Sequence, residues 1–175
     1  MKTINLIAAA AITAFSLFAT QVEAGGFASG RFARENAAGG VSGGSGRAFS
    51  GAYSAGAGGH GYASDGQGNA VAGSGGAVKG PNGGRAGRAG LTTHSADGTT
   101  THQSGAAGSG QRGSFQTQGS GVRYADGSGG GSRSTSVQSA SSSASYNGTT
   151  SYASGSGVSH TGTCTNASGA VVSCR

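Results

Sequence analysis

This chain of 175 residues has no tryptophan, one proline, one methionine and two cysteines. After residue 24, its larger apolar and aromatic side chains are four Phe, one Leu, eight Val and five Tyr. Ordering a residue costs about 1.5 kcal/mol of conformational entropy, while apolar burial stabilises by only about 25 cal/mol per Å². These side chains are too few to offset that cost with an ordinary core, so we do not expect a compact globular enzyme.

Acidic residues are also scarce, and after residue 24 they are Glu35, Asp65, Asp97 and Asp126. No two of them have the spacing of a catalytic carboxylate pair. The many serines do not form a Gly-x-Ser-x-Gly elbow in a strand–turn–helix context. Gly-x-Gly-x-x-Gly strings arise by chance among 39 glycines, and no βαβ pattern surrounds them. We therefore predict that the protein is not an enzyme, and we expect no cofactor and no bound metal.

The first 24 residues differ in kind from the rest of the chain. Lys2 precedes an apolar run from Leu6 to Ala19, and Val22-Glu23-Ala24 follows it. This is the pattern of a helical signal peptide cleaved between Ala24 and Gly25. The run is shorter than the roughly 20 residues of a membrane-spanning helix, and no further apolar stretch follows. We expect a secreted, periplasmic or cell-surface protein with no integral membrane segment after cleavage.

All 39 glycines follow the leader, so the exported chain either stays disordered or orders through backbone hydrogen bonds between strands. From this composition we predict a mostly disordered, low-complexity fold. Residues 25–90 form a Gly/Ala-rich disordered segment. Residues 91–175 form a Ser/Thr/Gly-rich region of short, irregular β-hairpins. With one proline and only a brief period of three residues near Gly87, a collagen helix is excluded.

Turn signals recur along the chain. Gly80-Pro81-Asn82-Gly83 presets a turn through proline, and Asp-Gly or Asn-Gly pairs favour tight hairpin turns; these pairs are Asp65-Gly66, Asp97-Gly98, Asp126-Gly127 and Asn147-Gly148. A turn at Asn147-Gly148 predicts pairing of Tyr146 with Thr149 and of Val137 with Val158. The faces of that hairpin are nearly all Ser, Ala and Gly, so we expect its register to be weakly specified.

The only cysteines, Cys164 and Cys174, lie near the C-terminus. In an exported chain such a pair predicts a disulfide. Direct pairing of the two residues needs an odd-length loop centred on Gly169, with Asn166 opposite Val172. Closing the 11-residue loop is worth roughly 2.8 kcal/mol in the chain-entropy description. The alternative is a pair of free thiols that bind metal or link chains, although two cysteines make a poor zinc site.

Histidines are the only candidate general bases, and His94 and His102 flank the Asp97-Gly98 turn. They face each other if the connecting loop has an odd length and lie on opposite faces if the turn has two residues. A weak metal site and solvated side chains are the two interpretations.

The formal net charge is +6, and the arginines are scattered rather than clustered. Such a charge favours weak, salt-sensitive contact with anionic polymers. Arginines flanked by glycine, with interspersed Tyr and Phe, are also typical of some nucleic-acid binders. The expected partners are therefore the protein itself, an anionic polysaccharide or extracellular DNA.

Two strings, Lys79-Gly80-Pro81-Asn82-Gly83-Gly84 and Thr93-His94-Ser95-Ala96-Asp97-Gly98-Thr99-Thr100, carry a resemblance over about residues 78–174. The chain resembles uncharacterised secreted Gly/Ser-rich repeat proteins of Gram-negative bacteria. The resemblance implies a secreted repeat protein and carries over no active site.

The resulting hypothesis is a glycine-rich structural or surface protein of the cell envelope or extracellular matrix. It acts by self-association or by weak contact with anionic polymers, with Phe115, Tyr124, Tyr146 and Tyr152 as anchors. One alternative is a secreted cationic effector that acts on membranes, although the chain lacks an amphipathic apolar face. Another is a binder of glycan, ice or extracellular DNA; for ice or glycan the motivating residues are Thr92, Thr93, Thr99, Thr100 and Thr101.

Overall fold

The computed structural model describes residues 25–174, which form one antiparallel sheet whose 11 strands lie side by side in chain order. The strands are β1 (Phe27–Glu35), β2 (Val41–Ser50), β3 (Ala55–Ser64), β4 (Ala70–Lys79), β5 (Arg85–His94), β6 (Thr100–Gly110), β7 (Gly113–Arg123), β8 (Gly129–Ser139), β9 (Ser145–Ala153), β10 (Gly157–Thr165) and β11 (Val171–Val172). A 3₁₀ turn at Pro81–Gly83 connects β4 to β5. The predicted signal peptide and its cleavage after Ala24 lie outside the described residues.

The prediction of a mostly disordered chain with a few hairpins in its C-terminal half is wrong. Residues 25–90 hold β1 to β4, and the expected boundary at 90/91 falls inside β5. The argument from missing apolar residues fails because each strand satisfies its backbone groups against its neighbours, so little core is needed. The buried apolar side chains among the described residues are those of Ala48, Ala63 and Val71.

The sheet is a single layer. Extensive contacts between elements run only between consecutive strands, and no element of residues 25–174 lies across either face. Many large side chains consequently stay exposed, among them Phe27 at 70% and Val158 at 75%. A protein that leaves both faces of a sheet open differs from the usual packing of two layers around a core.

Turns at one end of the sheet share a five-residue form. In the turn that starts at Ser95, the Ser95 N–H donates to Thr99 O and the Gly98 N–H donates to Ser95 O; the same two bonds close the turn that starts at Tyr124. Gly98 and Gly127 take positive φ there, at 84° and 82°, which glycine adopts without steric cost. The predicted turns at Asp65, Asp97 and Asp126 are confirmed in position, but five residues replace the expected two.

These turns expose an internal repeat. The turns at this end begin at residues 36, 65, 95 and 124, so one hairpin follows another every 29 or 30 residues. The strand register advances by a similar step: Phe27 pairs with Phe49, Phe49 with Gly56, and Gly56 with Val78. The chain is therefore a tandem array of similar hairpins.

Aromatic side chains fix the register by covering glycines on neighbouring strands. Phe49 pairs with Gly56 and Phe115 with Gly108, and a Cβ added at either glycine would lie 2.7 or 2.5 Å from the ring of its partner. Each ring therefore occupies the space above its cross-strand glycine, as in aromatic rescue of glycine in sheets. The expectation of a weakly specified register overlooked this complementarity, because a slip by two residues would place the ring against a side chain.

Asn147-Gly148 is not a turn, which corrects the predicted hairpin. Both residues lie inside β9, where Tyr146 pairs with Val137 on one side and with Cys164 on the other. A Cβ at Gly148 would clash with the Tyr146 ring, so this glycine makes room for an aromatic side chain on its own strand. The dipeptide signal was right for glycine but wrong for the reason glycine is needed.

The predicted disulfide between Cys164 and Cys174 is present, with a Cα–Cα distance of 5.4 Å. The expected pairing is shifted, since Cys164 lies opposite Val172. The loop has the predicted odd length, but it spans residues 166–170 and is centred on Ser168. The disulfide therefore joins diagonal rather than directly opposed residues and holds the short β11 against β10.

The ring-over-glycine arrangement predicts opposite effects for two substitutions in β6. Gly108→Ala places a methyl group against the Phe115 ring, and we expect a loss of about 1–3 kcal/mol of unfolding free energy through overpacking. Gly105→Ala has its nearest neighbour, Thr117 O, at 3.5 Å and should be neutral or stabilising by about 0.5 kcal/mol. Urea unfolding followed by circular dichroism measures both variants, and equal stabilities would refute the register argument.

Candidate functional site

Strand register assigns each side chain to one of two faces, because paired residues share a face and successive residues alternate. All four histidines fall on one face, which we call the histidine face; they are His60, His94, His102 and His160. The opposite face, called the alanine face, includes a row that runs from Ala28 through Ala48 and Ala57 to Ala77. A sequence without register could not reveal this division.

Charge is separated between strands and turns. Within the strands the histidine face carries Arg31, Arg47, Arg88, Arg123 and Arg133, and the alanine face carries Arg34, Lys79 and Arg85. Glu35, at the last position of β1, is the acidic residue of the strands, while Asp65, Asp97 and Asp126 all lie in turns at one end of the sheet. Both sheet faces are therefore cationic, although the chain holds both signs of charge.

The three aspartates are stabilised in their charged form by the turns they occupy. The Thr99 N–H donates to Asp97 at 2.8 Å and lowers the pKa of that carboxyl. The Ser128 hydroxyl donates to Asp126 at 2.6 Å with the same effect on its pKa, and the Asn69 side chain at 2.5 Å lowers the pKa of Asp65. These carboxylates are thus committed to turn structure rather than to a site.

Each histidine is hydrogen bonded to a hydroxyl directly across its strand. His102 Nδ1 lies 2.8 Å from Thr92 Oγ1, and His160 Nδ1 lies 2.8 Å from Thr150 Oγ1. His94 bonds Thr100 at 2.9 Å, and His60 lies 3.4 Å from Ser45. These pairs orient the imidazoles along the histidine face.

His94 and His102 do share a face, as an odd loop requires, because residues 95–99 separate β5 from β6. They are diagonal neighbours rather than a direct pair, since His94 lies opposite Thr100. Within residues 25–174, no group of three or more His, Cys, Asp or Glu side chains could hold a metal ion. The geometry gives the metal interpretation no further ligand.

The predicted aromatic anchors separate into two groups. Phe115, Tyr146 and Tyr152 lie on the histidine face, whereas Tyr124 opens a turn. Phe115 belongs to an apolar row of that face, which reads Phe27, Phe49, Gly56, Val78, Ala86, Gly108, Phe115, Val137, Tyr146, Cys164 and Val172. An open depression of about 1000 Å³ lies beside Phe115, Val137 and Tyr146.

The threonines that suggested a flat binding array are divided between the faces. Thr92 and Thr100 lie on the histidine face, Thr93 and Thr101 lie on the alanine face, and Thr99 lies in a turn. Thr93 and Thr101 bond each other at 2.7 Å. These residues therefore do not present one continuous threonine surface.

The comparisons with known proteins leave the site to be argued from its own geometry. No protein-family model matches the chain, and neither a curated protein nor a solved structure matches it. Along the part of the chain that the structure describes, no helix is long and apolar enough to cross a bilayer.

The turn carboxylates predict a specific acid sensitivity. Because the folded-state pKa of each aspartate lies below its ordinary value of 3.8, its contribution to stability is present above that value and is lost as the pH falls through the folded pKa. Replacing Asp65, Asp97 and Asp126 by Asn should flatten this loss, since Asn36 and Asn166 already accept the same backbone bonds in equivalent turns. Thermal unfolding from about pH 5 to about pH 2 is the measurement, and superimposable profiles for the two proteins would contradict it.

Proposed function

We propose that this is an extracytoplasmic surface or matrix protein that binds an anionic polymer along its histidine face. The observation that carries the proposal is the separation of charge, with cations on the strands and aspartates held in the turns of one end. A polymer lying across the strands meets arginine, histidine and hydroxyl groups without meeting those aspartates. Such a surface attracts polyanions by charge, in a manner that salt screens.

The spacing of the cations suits an extended ligand. Arg47, Arg88 and Arg133 lie on β2, β5 and β8, so a new guanidinium comes at every third strand. Strands in a sheet are about 4.8 Å apart, which places these charges roughly 14 Å from one to the next. This spacing supports contact with a chain over a long path rather than with a compact ligand in a pocket.

The disulfide supports the compartment in this proposal. Disulfides persist in oxidising surroundings such as the periplasm and the cell exterior, and Cys164–Cys174 closes the last hairpin. Together with the signal-peptide pattern of the leader, it favours a secreted, periplasmic or cell-surface location. The absence of enzymatic activity and of a cofactor stays a prediction.

Two triple variants with the same change of net charge test which face binds. Arg47, Arg88 and Arg133 are replaced by Gln in one variant, and Arg34, Lys79 and Arg85 in the other. We expect the first to lose about tenfold in affinity for a polyuronate, since three exposed charge contacts are each worth up to about 1 kcal/mol, and the second to lose much less. Titration at two salt concentrations is the measurement.

If both variants weaken equally, the histidine face is not the binding surface. If the parent protein binds no polyanion at low salt, the proposed function is wrong.

Self-association is a second candidate, favoured by the open edges of the sheet. β1 pairs with β2 on one side only, and on β10 the outer edge from Gly157 to Thr163 is not paired within the described residues. Unpaired strand edges are templates for pairing with another chain. Because β1 and β10 run in opposite directions, β1 of one copy can continue the antiparallel order beyond β10 of the next.

A proline on the edge strand tests this candidate. Ser50 N–H donates to Gly26 O, and by alternation the backbone N–H of Ser29 points away from β2. Ser29→Pro therefore removes an outward donor without breaking a bond inside the sheet. We expect a concentration-dependent oligomer in the parent and a monomer in the variant by light scattering coupled to size-exclusion chromatography. A parent that stays monomeric at all concentrations would remove this candidate.

A further inference from the structure

One tyrosine on the histidine face forms an exposed platform. Tyr152 pairs with Gly131, and a Cβ added at Gly131 would lie 2.8 Å from its Cε1 atom. A Cβ added at Gly121, one strand further, would lie 3.0 Å from its hydroxyl oxygen. The ring therefore lies flat across two glycines, yet the residue keeps 54% of its surface exposed. One side of the ring rests on the sheet and the other faces solvent.

Two arginines flank this ring along the strand direction. Arg133 is two residues from Gly131 on β8, and Arg123 is two residues from Gly121 on β7, on the opposite side of the ring. Both are exposed and lie on the same face as Tyr152. Four residue steps along the strands and one strand across separate them, which amounts to roughly 14 Å between their backbones. No other tyrosine of the described strands has an arginine on both sides in this way.

We propose that Tyr152, Arg123 and Arg133 form a subsite for an acidic polysaccharide, with one sugar ring stacked on Tyr152 and carboxylates at the two guanidinium groups. The inference deepens the proposed function and rests on it. A pyranose ring has an apolar CH face that packs on an exposed aromatic ring, while a planar guanidinium pairs with a carboxylate in a bidentate manner. Thr150, directly across from Arg133, adds a hydroxyl beside the platform.

Charge density favours a polysaccharide over a nucleic acid. A nucleic acid strand carries a phosphate every 3.4 Å in a duplex, so a chain crossing this subsite would bring several phosphates to two widely spaced cations. A saccharide chain with carboxylates on some of its sugars and hydroxyls on the others places its charges further apart. Bases also stack on tyrosine, so single-stranded DNA is the competitor that the experiment must exclude.

Tyr62 provides a matched control. Its ring lies over Gly43, where an added Cβ would be 2.7 Å from the hydroxyl oxygen, and the residue is 46% exposed. The positions two residues to either side of it and of Gly43 are occupied by His60, Ser64, Val41 and Ser45. It is therefore a platform on the same face without flanking arginines. Arg88 is the matching charge control, because no aromatic residue lies at its paired or diagonal positions on β4 and β6.

The experiment measures binding of an oligogalacturonate, its methyl-esterified form and a single-stranded DNA oligonucleotide by calorimetry, on the full exported chain. We expect the acidic oligosaccharide to bind and the ester to lose most affinity. Tyr152→Ala, Arg123→Gln and Arg133→Gln should each weaken binding about fivefold, while Tyr62→Ala and Arg88→Gln stay within about twofold of the parent. Tyr152→Phe keeps the ring and should bind like the parent, with unchanged circular dichroism as the check on folding.

The outcomes separate the two proposals. If the control variants weaken binding as much as the subsite variants, the subsite is wrong but general contact with polyanions survives. If the parent binds neither oligogalacturonate nor DNA, both proposals fail. DNA binding that is at least as tight and equally dependent on Tyr152 would assign the platform to nucleic acid and overturn the saccharide inference.

Discussion

The hydrogen-bonded ladder between consecutive strands holds this molecule together. From β1 to β10 each strand bonds the strand before it, the strand after it, or both along most of its length, and almost no side chain is buried beneath another layer. Net backbone hydrogen bonds contribute little individually, about 1 kcal/mol, but leaving a strand unpaired would strand many donors and acceptors at once. The fold is therefore stable through its completeness, and the sheet edges are where that completeness ends.

Glycine has two separate duties within this ladder. In the turns, Gly98 and Gly127 supply positive φ. In the strands, Gly56, Gly108 and Gly131 supply empty space that aromatic rings from neighbouring strands cover. The second duty gives the sheet a specific register without an apolar core, and it also leaves the outer ring faces free for ligands. Structure and candidate binding surface thus arise from the same glycine–aromatic pairs.

Part of this arrangement could be predicted from the sequence. Asp65, Asp97, Asp126 and Pro81 marked turns correctly, and Cys164 and Cys174 marked the disulfide. The fold class was wrong because a count of apolar side chains measures core formation and says nothing of strand pairing. The spacing of 29 or 30 residues between turns was present in the sequence and would have given the meander.

The candidate site was less accessible, because it depends on faces. Arg123 and Arg133 are ten positions apart in the chain and Tyr152 is further still, and only the pairing of β7, β8 and β9 brings them together. The odd loop at residues 95–99 placed His94 and His102 on one face, as the parity argument allowed. A shift of one residue in any turn would have reversed that outcome for every strand beyond it.

The order of the strands also decides how the molecule responds to tension. β1 and β11 lie at opposite edges of the sheet, so a pull applied to the two ends of the described chain acts across the strands and loads the ladder bonds one after another. The array would open hairpin by hairpin, each releasing a similar length of chain, rather than rupture as one unit. The last hairpin, closed by Cys164–Cys174, is the piece that cannot fully extend.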